Sequence, residues 1–198
     1  MSDPLDPVMR ALGQTSGASS DFDLNPDVVL PEGRKLRPAG VLVGLVQRQD
    51  GTRVILTKRA SHLKHHPGQI AFPGGKVDDT DADVTAAALR EAHEEVGLMP
   101  GMAEVLGLLP AHETVTSFMV TPVLARVSPD FAPVPEPGEV EEVFEVPLAH
   151  LSDPANFLIQ SRRWRGTRRH YFTVPYGPYY IWGATARILR GLAERMAQ

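Results

Sequence analysis

The chain has 198 residues, with 20 lysines and arginines against 24 aspartates and glutamates, for a formal net charge of −4. A hydrophobic fraction of 42% beside 22% charged residues excludes wholesale disorder and gives enough apolar surface for one domain with appendages. No run approaches the ~18–20 apolar residues of a membrane span, the N-terminus lacks a basic region followed by an apolar one, and cysteine is absent, which removes disulfides, thiolate metal sites and cysteine nucleophiles together. The expectation is a cytoplasmic protein that neither enters a membrane nor binds nucleic acid through a general basic surface.

Residues 1–38 are rich in Ser, Gly, Asp and Pro, with one short apolar run, Val8 to Leu12, able to form a turn or two of helix. They read as a loosely packed arm. The domain division expected is a partly flexible arm over 1–35 and a folded domain over 36–198. From Ala39 the text becomes strand, Asp50-Gly51 turn and strand through Thr57, a hairpin. Asp83 to Val96 starts on a capping acid, continues in helix formers and stops at Gly97, which predicts a helix. Its apolar positions, Val84, Ala88 and Ala92 with Leu89 and Val96, form a narrow stripe of mostly small residues suited to close packing on a sheet. Strand-like runs follow at Ala103–Leu109, Met119–Val127, Val143–Val146 and His170–Val174, and an amphipathic helix closes the chain from Ala184 to about Met196. Many strands and two well-separated helices indicate an α+β or α/β/α layered domain rather than a doubly wound one.

Chemistry concentrates on the first helix. Glu91, Glu94 and Glu95 stand at i, i+3 and i+4, which puts three carboxylates on one face within about 6 Å, at the negative end of the helix dipole. Arg90 reaches Glu94 at i+4, but one guanidinium does not balance three acids. Oxygen ligands without cysteine point to a hard cation, Mg²⁺ or Mn²⁺. Alone, such a run reads first as a solvated helix face. The loop Phe72-Pro73-Gly74-Gly75-Lys76 just upstream changes the balance, because two glycines permit close backbone approach and the Gly75 carbonyl can complete a metal shell.

Gly75, the acidic loop through Asp81, and Arg90-Glu91-Ala92-His93-Glu94-Glu95-Val96-Gly97-Leu98 closely resemble the Nudix box, with one residue inserted between Asp81 and Arg90 and Asp81 where glutamate is usual. The resemblance implies a Nudix-type α/β/α sandwich with a mixed central sheet. A second segment, Ile55-Leu56-Thr57-Lys58-Arg59-Ala60 with Lys64, Gly68 and Phe72 to Gly75, resembles the extra signature of the coenzyme A pyrophosphatase subfamily, with Lys64 where arginine is usual. Tyr176 to Ala186 is similar to that subfamily's C-terminus.

What the resemblance implies is metal-dependent attack of water on the pyrophosphate of coenzyme A, a small-molecule substrate, giving 3′,5′-ADP and 4′-phosphopantetheine. Glu91 and Glu95 become the principal ligands of Mg²⁺ or Mn²⁺, with Glu94 a further ligand or water-bridged partner and Gly75 completing the shell. Arg90 orients the carboxylates. The candidates for general base are one of these glutamates or Glu139, in the acidic run 136–142, which equally fits a solvated loop acid. Arg59, Lys64 and Gly74 become substrate contacts, with Lys58 facing the other way along its strand. Arg162, Arg163, Arg165, Arg168 and Arg169 around Trp164 read as an Arg-rich surface hairpin, as a receiver for the 3′-phosphate or adenine, or as a short nucleic-acid patch. His65 and His66 fit a loop-capping role, His93 points away from the ligands, and His112, His150 and His170 carry no signal; Trp182, Tyr179 and Tyr180 read as core or lining. ADP-ribose, NADH or a dNTP as substrate, a non-catalytic nucleotide sensor, and a homodimer exchanging the arm stay open.

Overall fold

A computed structural model of the protein describes residues 3–14, 17–164 and 166–198. In chain order the elements are α1 (Asp6–Leu12), β1 (Ser19–Ser20), β2 (Arg37–Arg48), β3 (Gly51–Arg59), β4 (Ile70–Ala71), β5 (Gly74–Lys76), α2 (Val84–Val96), β6 (Ala103–Leu108), β7 (His112–Glu113), β8 (Phe118–Val127), β9 (Val140–Pro147), α3 (Leu148–Leu151), β10 (Leu158–Trp164), β11 (Thr167–Thr173) and α4 (Ala184–Met196). Among the described residues they form a nine-stranded mixed sheet and a separate β10–β11 hairpin. The centre is β8-β2-β3, with β2 and β8 parallel from Arg37↔Phe118 to Val46↔Val127 and β2–β3 the antiparallel hairpin expected from Asp50-Gly51. β5 pairs with the start of β2, so the glycine loop lies against the sheet.

Strand alternation divides the core into two layers. Val43, Leu45, Val54, Leu56 and Leu124 face α1, α3 and α4, whereas Leu42, Val46, Ile55, Val123 and Ala125 face α2. The result is the α/β/α sandwich with a mixed central sheet. No helix among the described residues is long and apolar enough to cross a membrane.

The loosely packed arm needs correction. Leu5, Val8 and Ala11 are buried in the same core as Leu189 and Leu192 of α4, and Ser19 pairs with His112 in a short parallel ladder. The strand expected over Val143–Val146 is also longer, Val140–Pro147, because its full length pairs with β3.

Candidate active site

Helix α2 is held at both ends. Asp83 caps it, its Oδ1 accepting the Ala86 N–H at 2.8 Å, and the Gly97 N–H returns to the His93 carbonyl at 3.0 Å. Of the stripe, Ala88 and Ala92 are fully buried, and so is the neighbouring Ala87. Gly40 on β2 completes the fit, since a Cβ there would run into the Val84 carbonyl oxygen and stand 3.1 Å from the Ala88 nitrogen. The helix backbone therefore rests directly on the strand. Across the ladder Gly40 pairs with Gly75, where a Cβ would collide with the Glu91 carboxylate. Glu91 thus lies over the Gly75 backbone. Gly75→Ala is expected to displace Glu91 and lower kcat by about 10- to 100-fold, the scale of losing a positioned charged group, with the thermal transition close to wild type; steady-state kinetics and a melting curve check both halves.

The three acids have different surroundings. Glu95 is 5% exposed and its Oε2 accepts the Gly74 N–H at 3.0 Å. Burial pushes its carboxyl up to about 7 against the opposing pull of Gly74, with Glu91 and Glu139 adding to the rise. Burial also raises the Glu91 carboxyl, with Arg90 working against it and Glu139 again contributing. Glu94 is exposed, its Oε2 3.1 Å from Arg90 Nη1. Arg90 gathers the site: Nη1 is 3.0 Å from Glu91 Oε1, while Nε and Nη2 each donate to Asp81 at 3.0 Å. A bidentate guanidinium–carboxylate pair is a rigid mount. Asp81, the first acid of the box, is thus Arg90's anchor, and Arg90 holds its carboxyl below the usual range. His93 is exposed.

Among the described residues no three His, Asp or Glu side chains converge as a closed metal cluster. The donor set still fits a hard divalent ion. Mg²⁺ typically takes one or two carboxylates, keeps several waters and shares the substrate's phosphates, and Glu91, over the Gly75 backbone, with Glu95, on the Gly74 N–H, both with carboxyls raised by burial, supply that kind of array. Glu139, in the exposed turn before β9, is near enough for its charge to act on both. Its carbonyl accepts the Ala60 N–H at 2.8 Å, next to Arg59.

A cavity of about 350 Å³ opens beside this array. Arg59 and Gly74 line it, and Lys64 lies on an exposed turn outside the lining. Lys58 faces away, pairing with Glu141 at 2.6 Å. Of the arginine segment, Arg162 and Arg169 reach the cavity and Arg163 and Arg168 do not; Arg165 and the Trp164 side chain lie outside what the structure describes. Trp182 lines the wall, whereas Tyr179 stacks on Phe144 with centroids 3.6 Å apart. His66 lines it too, its pKa lowered by burial and then by Arg59.

Sequence reasoning missed the arm's share of the cavity. Asp21, Phe22 and Asn25 are in its wall. It also missed His112, which is fully buried, with Nδ1 2.9 Å from Ser19 Oγ and Nε2 3.0 Å from Asp21 Oδ1. Nothing in the spacing of residues 19, 21 and 112 signals that contact.

A sandwich whose acidic helix is mounted by an arginine over a glycine loop defines a class of phosphoanhydride hydrolase, and the comparisons agree. The NUDIX domain model matches residues 37–167. A protein of Enterobacter sp. (strain 638) described as "Uncharacterized Nudix hydrolase NudL" is 46% identical, over 79% of this chain and 81% of its own. The like-named protein of Escherichia coli O1:K1 / APEC is also 46% identical with the same coverage. The MutT/nudix family protein of Enterococcus faecalis shares the fold at TM-score 0.51 and 17% identity, covering 100% of this chain and 75% of that one. The chain belongs to the Nudix family. It is a Nudix pyrophosphatase acting on a nucleoside diphosphate derivative, and hydrolases of this family use divalent metal ions.

Proposed function

We propose that the enzyme hydrolyses the pyrophosphate bond of coenzyme A or its thioesters in the cytoplasm, releasing 3′,5′-ADP and 4′-phosphopantetheine or its acyl form. The observation that carries this reading is the double position of Gly74: its N–H holds Glu95, and the same residue lines the cavity with Arg59. A pyrophosphate at the glycine loop would put one end of an elongated substrate in that cavity. The signature from Ile55 to Gly75, which resembles that of coenzyme A pyrophosphatases, adds to it.

Glu91 and Glu95 would hold Mg²⁺ or Mn²⁺, with the Gly75 carbonyl and Glu94 beside them. The ion, when bound, supplies charge neutralisation on the bridging phosphates and a more acidic water. The chain's own residues do the rest. Arg90, anchored by Asp81, fixes Glu91, Arg59 binds phosphate, and Glu139 accepts a proton from the attacking water. Lys64, on its exposed turn, is assigned a contact at the rim.

The test is to incubate the protein with coenzyme A, ADP-ribose, NADH and dNTPs in Mg²⁺, Mn²⁺ or chelator and to identify products by mass. The expected result is 3′,5′-ADP with 4′-phosphopantetheine, in metal only. Cleavage of another nucleotide with coenzyme A left intact overturns the substrate assignment.

A further inference from the structure

The cavity reverses the charge of the molecule around it. Arg59, Arg162 and Arg169 line it against one carboxylate, Asp21, in a chain of net charge −4. That carboxylate is turned into the fold, its Oδ1 3.0 Å from His112 Nε2 and its Oδ2 accepting the Val115 N–H at 2.9 Å.

Register places two of the arginines. Arg162 and Arg169 are direct partners across β10–β11, so they share a face, and the next pair, Arg163 and Arg168, takes the other. Like charges directly opposite destabilise a ladder, and a counter-anion between them relieves this. Aromatic rings fix both head groups, Arg162 at 4.3 Å over Trp182 and Arg169 at 5.9 Å over Phe22. A guanidinium held over a ring by its face can still donate N–H bonds to an oxyanion. Arg59 joins the two halves. Its Nε is buried with no hydrogen-bond partner among the described residues, and its charge acts on Glu95 on one side and, with that of Arg162, on His66 on the other. Phe22, Arg169 and Trp182 fall outside residues 37–167, so the match to the family domain does not account for this wall.

Resting on the reading of this site as a nucleotide pyrophosphatase, we propose that Arg162 and Arg169 form a phosphomonoester subsite, which makes the enzyme select substrates carrying a phosphate in addition to the scissile pyrophosphate. Two measurements test it. In turnover, kcat/KM for coenzyme A is expected to exceed that for dephospho-coenzyme A by about tenfold or more, the worth of a charge-assisted contact. Arg162→Gln and Arg169→Gln shrink that ratio to within about threefold, chiefly by loss on coenzyme A. Arg162→Lys retains part of it, and Arg163→Gln leaves it unchanged. In calorimetry without turnover, 3′-phosphoadenosine 5′-phosphate binds about tenfold or more tighter than AMP, and the same two glutamine variants remove the difference. Equal affinities in the wild-type protein, or a loss matched by Arg163→Gln, overturn the subsite. Discrimination in binding with no hydrolysis of any nucleotide would uphold the subsite and reject the proposed reaction. Hydrolysis of both coenzymes at equal kcat/KM would reject the subsite and leave the reaction standing.

Discussion

Glu95→Gln is expected to lower kcat by 10²–10³-fold or more, the scale of removing a group that stabilises transition-state charge, and at the same time to make the metal-free protein more stable above pH 7. The two effects share a cause. Glu95 is 5% exposed with one N–H on its carboxylate, so burial pushes the carboxyl up to about 7 from an ordinary value of 4.5. A group with a raised folded pKa contributes stability that is fully present below the unfolded value and is lost as pH rises through the folded one. Wild-type, metal-free protein therefore loses stability between about pH 4.5 and 7, by roughly 2–3 kcal/mol. Glutamine keeps an acceptor for the Gly74 N–H and carries no charge to desolvate. Its melting temperature in chelator should exceed wild type by about 5 °C at pH 8, and the gap should largely close at pH 5. Adding Mg²⁺ should raise the wild-type transition and leave the variant's where it is. A variant with normal turnover would remove Glu95 from the site; one destabilised at pH 8 would show that its carboxylate is satisfied by the fold alone.

The contrast between Glu95 and Glu94 shows what the sequence could and could not disclose. Helix α2 was legible because its capping acid, small stripe and closing glycine are all local signals, and the i, i+3, i+4 spacing is a property of the helix itself. The β2–β3 hairpin and α4 were legible for the same reason. That Glu95 is buried while Glu94 pairs with Arg90 at the surface depends on how the helix rolls onto Gly40 and Gly75, and those contacts join distant segments. The arginine segment divides similarly. A hairpin was among its readings, but which arginines face the cavity follows from the register Arg162↔Arg169, set by pairing across the turn. Asp81 carried a motif position in the sequence, and its bidentate hold on Arg90 emerges only once the loop folds back on the helix.

The second large effect concerns the arm. Removing residues 1–35 is expected to leave a chain that does not form a stable fold, although composition alone reads that stretch as an appendage. Helix α1 has seven residues, too few to be helical alone, and its apolar run says nothing about what it packs on. In the fold Leu5, Val8 and Ala11 sit in the core beside Leu189 and Leu192. At about 1.5–3 kcal/mol for each fully buried aliphatic side chain, Leu5 and Val8 together contribute about 3–6 kcal/mol, which reaches the lower end of the net stability of about 5–15 kcal/mol typical of a domain. The same deletion strips Ser19 and Asp21 from the fully buried His112, and Asn25 from His170, whose N–H and carbonyl it engages at 2.8 and 2.9 Å. For the buried His112 imidazole, a lost partner costs roughly a further 1–3 kcal/mol. Val8→Asp in the full chain should therefore lower the melting temperature sharply. Asn25→Ala, which leaves α1 in place, should keep a cooperative transition and weaken binding in the cavity that Asn25 lines. A chain of residues 36–198 with wild-type turnover and a sharp thermal transition would show that the arm is an appendage after all. If it instead binds apolar dye and melts without cooperativity, the first 35 residues belong to the domain, and the wall they lend the cavity is built by the same contacts that complete the core.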